Sequence, residues 1–389
     1  MQIEPFSIAV PDETLIDLRR RLDHARWAED FANDDWSYGT SGAYLRELVD
    51  YWRQGYDWRR HEREINAIPQ FRTVIDDMPI HFQHVRGKGP KPIPLLLSHG
   101  WPWTFWDYHK LIGPLTDPAA HGLDPANSFD VIVPSLPGYG FSTPLKTPGI
   151  NFWSTADIFV KLMERLGYRR FAAHGGDWGA FISAQLGHKY ADRLIGTHFT
   201  LMAPLDTFSG GQVPPEDYSE AEKPWLARTI DFFQNEAGYY ALQTTKPQTV
   251  AFALNDSPIG LCSWIVEKRR KWSDCGGEVE RRFSKDDLLT TVMIYWITQC
   301  YGTSARYYYE AAHRPWTPSH DQKPVVQAPT GVAVFLKEVV LQPKRWAERY
   351  YNLKRWSVFA SGGHFAAMEE PEVLSRDIGA FFKELRKGG

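Results

Sequence analysis

The chain lacks the marks of several large protein classes. It holds three cysteines in 389 residues: Cys262, Cys275 and Cys300. Their spacing makes neither a disulfide framework nor a metal pattern, so a reducing cytoplasm is the expected home. No apolar run approaches the roughly 18 residues that span a bilayer. The opening Met1-Gln2-Ile3-Glu4-Pro5 has neither a basic nor an apolar leader region, and no membrane anchor is expected. Lys and Arg number 44 against 47 Asp and Glu, a net charge of −3. That balance argues against a nucleic-acid partner, which would usually show a basic face. No HExxH or CxxC occurs, and Gly138-Tyr139-Gly140 lacks the glycine spacing of a dinucleotide fingerprint. Internal repeats and low-complexity segments are also missing.

Apolar and aromatic residues are plentiful. The chain is 43% hydrophobic and 14% aromatic, with 16 Trp and 18 Tyr. This supports a sizeable core, arranged as one large domain with additions or as two. It also hints at an aromatic-lined pocket.

Four blocks separate by pattern. Residues 1–85 read as helical, then as a hairpin. Asp12 is the expected N-cap of a helix carrying Leu15, Leu18 and Leu22. Phe71–Ile75 and Ile80–Phe82 flank a turn at Asp76-Asp77. In residues 86–203, short apolar strands (Ile93–Leu97, Phe129–Val133, Phe171–Ala173) alternate with a helix over Ala156–Leu166. Such alternation predicts an α/β fold with a mostly parallel sheet and helices on both faces. Residues 204–322 break the rhythm as a helical, aromatic insertion, with a capping box at Ser284-x-x-Asp287. Residues 323–389 resume it: strands over Val332–Phe335 and Trp356–Phe359, then a helix over Glu372–Leu385.

The candidate chemistry begins at Gly175-Gly176-Asp177-Trp178-Gly179, between a strand and a helix. That is the setting of a nucleophile elbow, with Asp177 where serine usually stands. A carboxylate is already ionised at neutral pH and can attack an electrophilic sp3 carbon without a base. The competing reading makes Asp177 the N-cap of the following helix. His99-Gly100-Trp101-Pro102 ends an earlier strand, where one oxyanion-hole N–H arises in this architecture; the residue after the nucleophile gives the other. Those donors would be Trp101 and Trp178. Glu338 and His364 follow in the order nucleophile, acid, histidine. Glu338 is the only acidic residue between Asp321 and Glu348. Tyr239 and Tyr308 lie in the insertion, where a phenol O–H is a neutral donor; physics alone does not choose them among 18 tyrosines. Lys268-Arg269-Arg270-Lys271 reads as a solvated helix face.

Together, His99-Gly100-Trp101-Pro102, Gly175–Gly179, Leu254-Asn255-Asp256-Ser257-Pro258 and Gly362-Gly363-His364-Phe365-Ala366-Ala367 resemble the microsomal-type epoxide hydrolases. The resemblance covers nearly the whole chain, N-terminal region included. It implies an α/β-hydrolase fold with a helical cap over 204–322 and an N-terminal epoxide-hydrolase-type region over 1–85. It implies Asp177 as nucleophile, His364 as the base that activates water and Glu338 as the acid, in Phe335-Leu336-Lys337-Glu338. Leu336 stands where the family usually has proline. It further implies Tyr239 and Tyr308 as donors to the epoxide oxygen; Tyr308 is picked from Tyr307-Tyr308-Tyr309 by its spacing from Arg306. Animal relatives carry an N-terminal anchor that is not seen here.

The implied reaction converts an epoxide and water to a vicinal diol through an alkyl ester on Asp177. No metal or organic cofactor is implied. The expected substrate is small, apolar and by the aromatic content aryl-bearing, in detoxification, hydrocarbon breakdown or antibiotic tailoring. A homodimer is the default expectation. The alternatives are a haloalkane dehalogenase, which also uses an Asp ester, and a non-catalytic ligand-binding protein on the same fold.

Overall fold

A computed structural model describes residues 2–387. The strands are β1 (Glu4–Phe6), β2 (Gln70–Ile75), β3 (Met78–Val85), β4 (Ile93–Ser98), β5 (Phe129–Pro134), β6 (Phe171–Gly175), β7 (Leu194–Phe199), β8 (Val326–Lys337) and β9 (Tyr351–Gly363). They form one sheet in the order β1-β2-β3-β5-β4-β6-β7-β8-β9. The first four in that order pair antiparallel, and from β5 onward every pair is parallel. Strands β5 and β6 are buried at every residue, which is why they read as unbroken apolar runs rather than alternating ones.

The turn between β2 and β3 holds Asp76 at φ 50° and Asp77 at φ 62°. Two successive positive φ values match the right-handed twist of a hairpin, and Asp tolerates them. The helices Phe152–Arg165 and Trp178–Lys189 pack as one pair against the sheet, and His109–Thr116 with Pro371–Lys387 as another. Asp12 is not the N-cap expected of it. Pro11 holds that position and Asp12 is the first helical residue, where its charge still meets the positive end of the helix.

Between β7 and β8 the chain leaves the sheet for a helical insertion, whose longest members are Pro258–Trp272 and Lys285–Thr298. The N-terminal helices pack on this insertion. Arg21 reaches Asp256 Oδ1 at 2.6 Å, Thr40 donates to the Ser263 carbonyl at 2.9 Å, and Tyr51 donates to Asp286 at 2.8 Å. Ser257 caps the second of two helices, Pro247–Asp256 and Pro258–Trp272, which meet at a bend of 117°. Among the described residues no single helix is long and apolar enough to cross a membrane.

The basic run in Pro258–Trp272 is not a solvated face. Lys268 and Arg269 are buried. Arg269 Nη1 pairs with Asp107 Oδ1 at 2.6 Å, Nη2 donates to the Pro102 carbonyl at 3.0 Å, and the guanidinium lies 4.1 Å from the Phe365 ring centroid. This strut joins the insertion to the loop after β4. Sequence pattern missed it because Asp107 lies 162 residues away. Arg269→Ala leaves a buried carboxylate without its partner. It is expected to cost about 3–5 kcal/mol, read as a lower midpoint in urea.

Candidate active site

β6 ends in glycine and the chain turns sharply into the helix Trp178–Lys189, with Asp177 at φ 49° and ψ −127°. A β-carbon on Gly175 would strike the backbone of Gly179, and one on Gly179 would strike the Ser98 carbonyl. Only glycine lets this turn sit against the end of β4. Asp177 occupies the N-cap position yet its side chain makes no capping bond. Its Oδ1 instead accepts the Trp101 N–H at 2.7 Å, across from the loop after β4. The N-cap reading therefore fails: the carboxylate turns away from the helix and into the site. Gly100 is required for this approach, because a β-carbon there would overlap the Asp177 side chain.

His99 holds that loop in place. Its Nδ1–H donates to the Gly100 carbonyl at 2.9 Å and its Nε2 accepts the Leu136 N–H at 3.1 Å. Those partners require a neutral ring, and burial pushes its pKa down to about 4. Trp178 N–H, the second expected donor, lies at the start of the helix and makes no hydrogen bond to Asp177 among the described residues.

His364 Nδ1 lies 2.7 Å from Glu338 Oε1, and its Nε2 lies 3.5 Å from Asp177 Oδ2. Glu338 and His364 are buried. Trp103, Trp272 and Phe365 stand edge-on around the His364 ring, with centroids 5.5, 5.2 and 5.1 Å away. Burial opposes charge on this ring, but the carboxylates of Glu338 and Asp177 outweigh it and raise the pKa to about 10. In Asp177→Asn one of those carboxylates is gone. The His364 pKa is expected to fall, as followed by NMR titration of the ring nitrogens.

With Leu336 in place of the proline, the loop still brings Glu338 to His364. Glu338 N–H closes a turn on the Phe335 carbonyl at 2.9 Å. Arg228 from the insertion donates to the carbonyls of Lys337 and Glu338, each at 2.7 Å.

The insertion brings Tyr239 and Tyr308 to the same place. Tyr239 stacks on Trp101, centroids 5.0 Å apart and planes at 7°. Tyr308 stands against Trp178 at 4.6 Å, and the two tyrosine rings are 5.9 Å apart. The neighbours of Tyr308 point elsewhere: Tyr307 donates to Thr155 Oγ1, and Tyr309 stacks on His313. Burial, with the Asp177 charge, holds both phenols protonated well above their ordinary range. The Lys268 ammonium lies 5.3 Å from the Tyr239 centroid, a neighbour that sequence reading missed. No cluster of His, Cys, Asp and Glu suited to a metal ion occurs among the described residues.

A sheet of this order, with an elbow after β6 and a histidine after β9, defines an α/β-hydrolase. Residues 93–371 match the α/β-hydrolase-fold family model, and residues 3–108 match the model of the epoxide hydrolase N terminus. Epoxide hydrolase 1 of Oryctolagus cuniculus is 39% identical over 97% of this chain and 88% of its own length. The Bombyx mori juvenile hormone epoxide hydrolase structure aligns with a TM-score of 0.88 at 33% identity, covering 99% of this chain and 95% of that one. The Aspergillus niger epoxide hydrolase structure aligns with a TM-score of 0.86 at 29% identity, covering 99% and 97%. The chain belongs to the microsomal-type epoxide hydrolase family.

Proposed function

We propose that this protein hydrolyses small apolar epoxides to vicinal diols through a covalent ester on Asp177. The observation that carries this reading is the placement of the Asp177 carboxylate. One oxygen is held by Trp101 N–H, and the other faces His364 Nε2 beneath two buried phenols. Oδ2, the oxygen free of Trp101, attacks a ring carbon. The ring C–O bond breaks, and its electron pair goes to the oxygen, which Tyr239 and Tyr308 stabilise and protonate.

The ester has lost the negative charge of Asp177, so His364 loses part of the pull that keeps it protonated. It gives its proton to the phenolate left by ring opening, and as a neutral base oriented by Glu338 it then takes a proton from water. The resulting hydroxide attacks Asp177 Cγ. The tetrahedral oxyanion receives the Trp101 N–H, with Trp178 N–H as the second donor once charge develops on that oxygen. Collapse expels the diol oxygen, which takes up the proton of the acid group formed on Asp177, so the carboxylate returns with His364 again charged. No step calls for a metal or an organic cofactor.

The insertion 204–322 covers the site and the N-terminal helices pack on it; strands from 1–85, 86–203 and 323–389 make up the sheet. Trp101, Trp178, Phe208 and Tyr240 form an aromatic wall beside the tyrosines, which suits an aryl-bearing epoxide.

A single turnover in 18O-water tests the mechanism. The first diol formed is expected to carry no label, and the label is expected in the Asp177 peptide. Label in the first diol would mean direct attack by water and would end the proposal. Halide release from a chloroalkane in the same assay would point to a dehalogenase instead. Tyr239→Phe and Tyr308→Phe each remove one donor to the developing oxyanion. Each is expected to slow ester formation about 10²-fold, measured by stopped-flow tryptophan fluorescence. Because both phenols titrate well above 10, ester formation is not expected to fall between about pH 8 and 10 through their ionisation.

A further inference from the structure

We propose that Glu369 is a positioning residue for the hydrolytic step, holding the backbone on both sides of His364 and tying it to the insertion. The proposal rests on the reading of His364 as the base. Glu369 ends the short helix Ala366–Glu369 and is buried. Its Oε2 accepts the N–H of Gly363 at 3.1 Å and of Asp274 at 2.7 Å. Its Oε1 accepts the N–H of Phe365 at 2.9 Å. The N–H between them, of His364 itself, donates to the Trp272 carbonyl at 2.9 Å. Three consecutive amides are thus fixed, two by one carboxylate and one by the insertion.

The two segments meet at close quarters. A β-carbon on Gly363 would lie 2.7 Å from the Trp272 carbonyl oxygen and 2.9 Å from the Asp274 nitrogen. Trp272 is also one wall of the His364 ring. Glu369 therefore sets where His364 begins, and the segment it grips supplies one of the surfaces that orient the ring.

A carboxylate is suited to this task because it has two acceptor oxygens and no donor. The charged group facing it is Arg282, whose Nε lies 4.0 Å away and which is itself paired with Asp274 and Glu370, each at 2.9 Å. Burial pushes Glu369 up to about 7 against the pull of three N–H donors and Arg282. Packing alone gives no reason to keep an ionisable group there.

Ester formation uses Asp177 and the tyrosines, whereas ester hydrolysis uses His364. Displacing the ring therefore separates the two steps. Glu369→Gln keeps the size but turns an N–H2 toward N–H groups. Glu369→Asp keeps both acceptors on a shorter stem. The test is single-turnover kinetics of wild type, both variants and His364→Gln with styrene oxide, following ester by intact mass and diol by chromatography.

In Glu369→Gln, ester hydrolysis is expected to slow about 10–10²-fold while ester formation stays within about twofold. Glu369→Asp is expected to fall between Glu369→Gln and wild type, and it decides alone if Glu369→Gln does not fold. Hydrolysis unchanged, or both steps slowed together, would overturn the proposal and leave Glu369 a purely structural group. If His364→Gln itself accumulates no ester, the reading of His364 fails instead. If it accumulates ester and the Glu369 variants do not, only the Glu369 proposal fails.

Discussion

Replacing Asp177 with alanine is expected to lower epoxide turnover by about 10⁴-fold or more, without a matching loss of stability. The side chain makes little contact that holds the fold together. It does not cap its helix, and its bond to Trp101 N–H leaves that N–H facing the site when removed. The elbow is built by Gly175 and Gly179, which the substitution leaves alone. Asp177 holds φ 49°, a conformation strained for alanine as for aspartate, so a modest change in melting temperature is the expected structural cost. Thermal unfolding together with diol formation checks both halves. Substantial remaining turnover would mean that another group attacks the epoxide.

The second large effect belongs to His364→Gln. Its kcat is expected to fall about 10²–10⁴-fold while the first half-reaction survives. Protein mixed with an epoxide should then gain the mass of one intact epoxide, because ring opening adds the whole molecule. Combining the change with Asp177→Ala should remove the gain. The separation follows from geometry: Nε2 faces Asp177 Oδ2 at 3.5 Å, close enough to activate water at the ester carbon. Normal turnover in this variant would remove His364 from the mechanism. A gain equal to an alkyl group alone, with chloride released from a chloroalkane, would mark a dehalogenase.

The pH behaviour follows from the same cluster. Glu338 and Asp177 keep His364 charged in the resting protein, up to about 10. Charge on the ring does not hinder ester formation, because the nucleophile there is a carboxylate. The base is needed only after the ester has formed, when one of the two carboxylates that hold the proton has been neutralised. In the proposed mechanism the nucleophile thus adjusts the acidity of the base that later releases it.

Much of the site was legible in the order of residues because local geometry leaves local marks. A tight turn between a buried strand and a helix demands small residues at Gly175 and Gly179, so the elbow is visible as a pentapeptide. The Asp76-Asp77 hairpin and the Ser284 capping box are equally local, and they form as read. The parallel strands also announced themselves, since a strand covered on both faces has no polar side to show. The three-residue strand β1 gave no such mark, because only its pairing with β2 makes it a strand.

The sequence by itself determined most of the strands and the elbow with Asp177 at its tip, because these depend on neighbours a few residues away. Tertiary structure alone decided the rest. It turned Tyr308, of three consecutive tyrosines, toward Tyr239, while the Tyr307 hydroxyl went to Thr155. It buried Arg269 against Asp107, when the run of charges suggested solvent. It set Glu369 beneath His364 and turned the Asp177 carboxylate to Trp101 N–H instead of capping its helix. Each of these depends on groups far apart in the chain and on what burial does to charge, and only the folded packing brings those groups together.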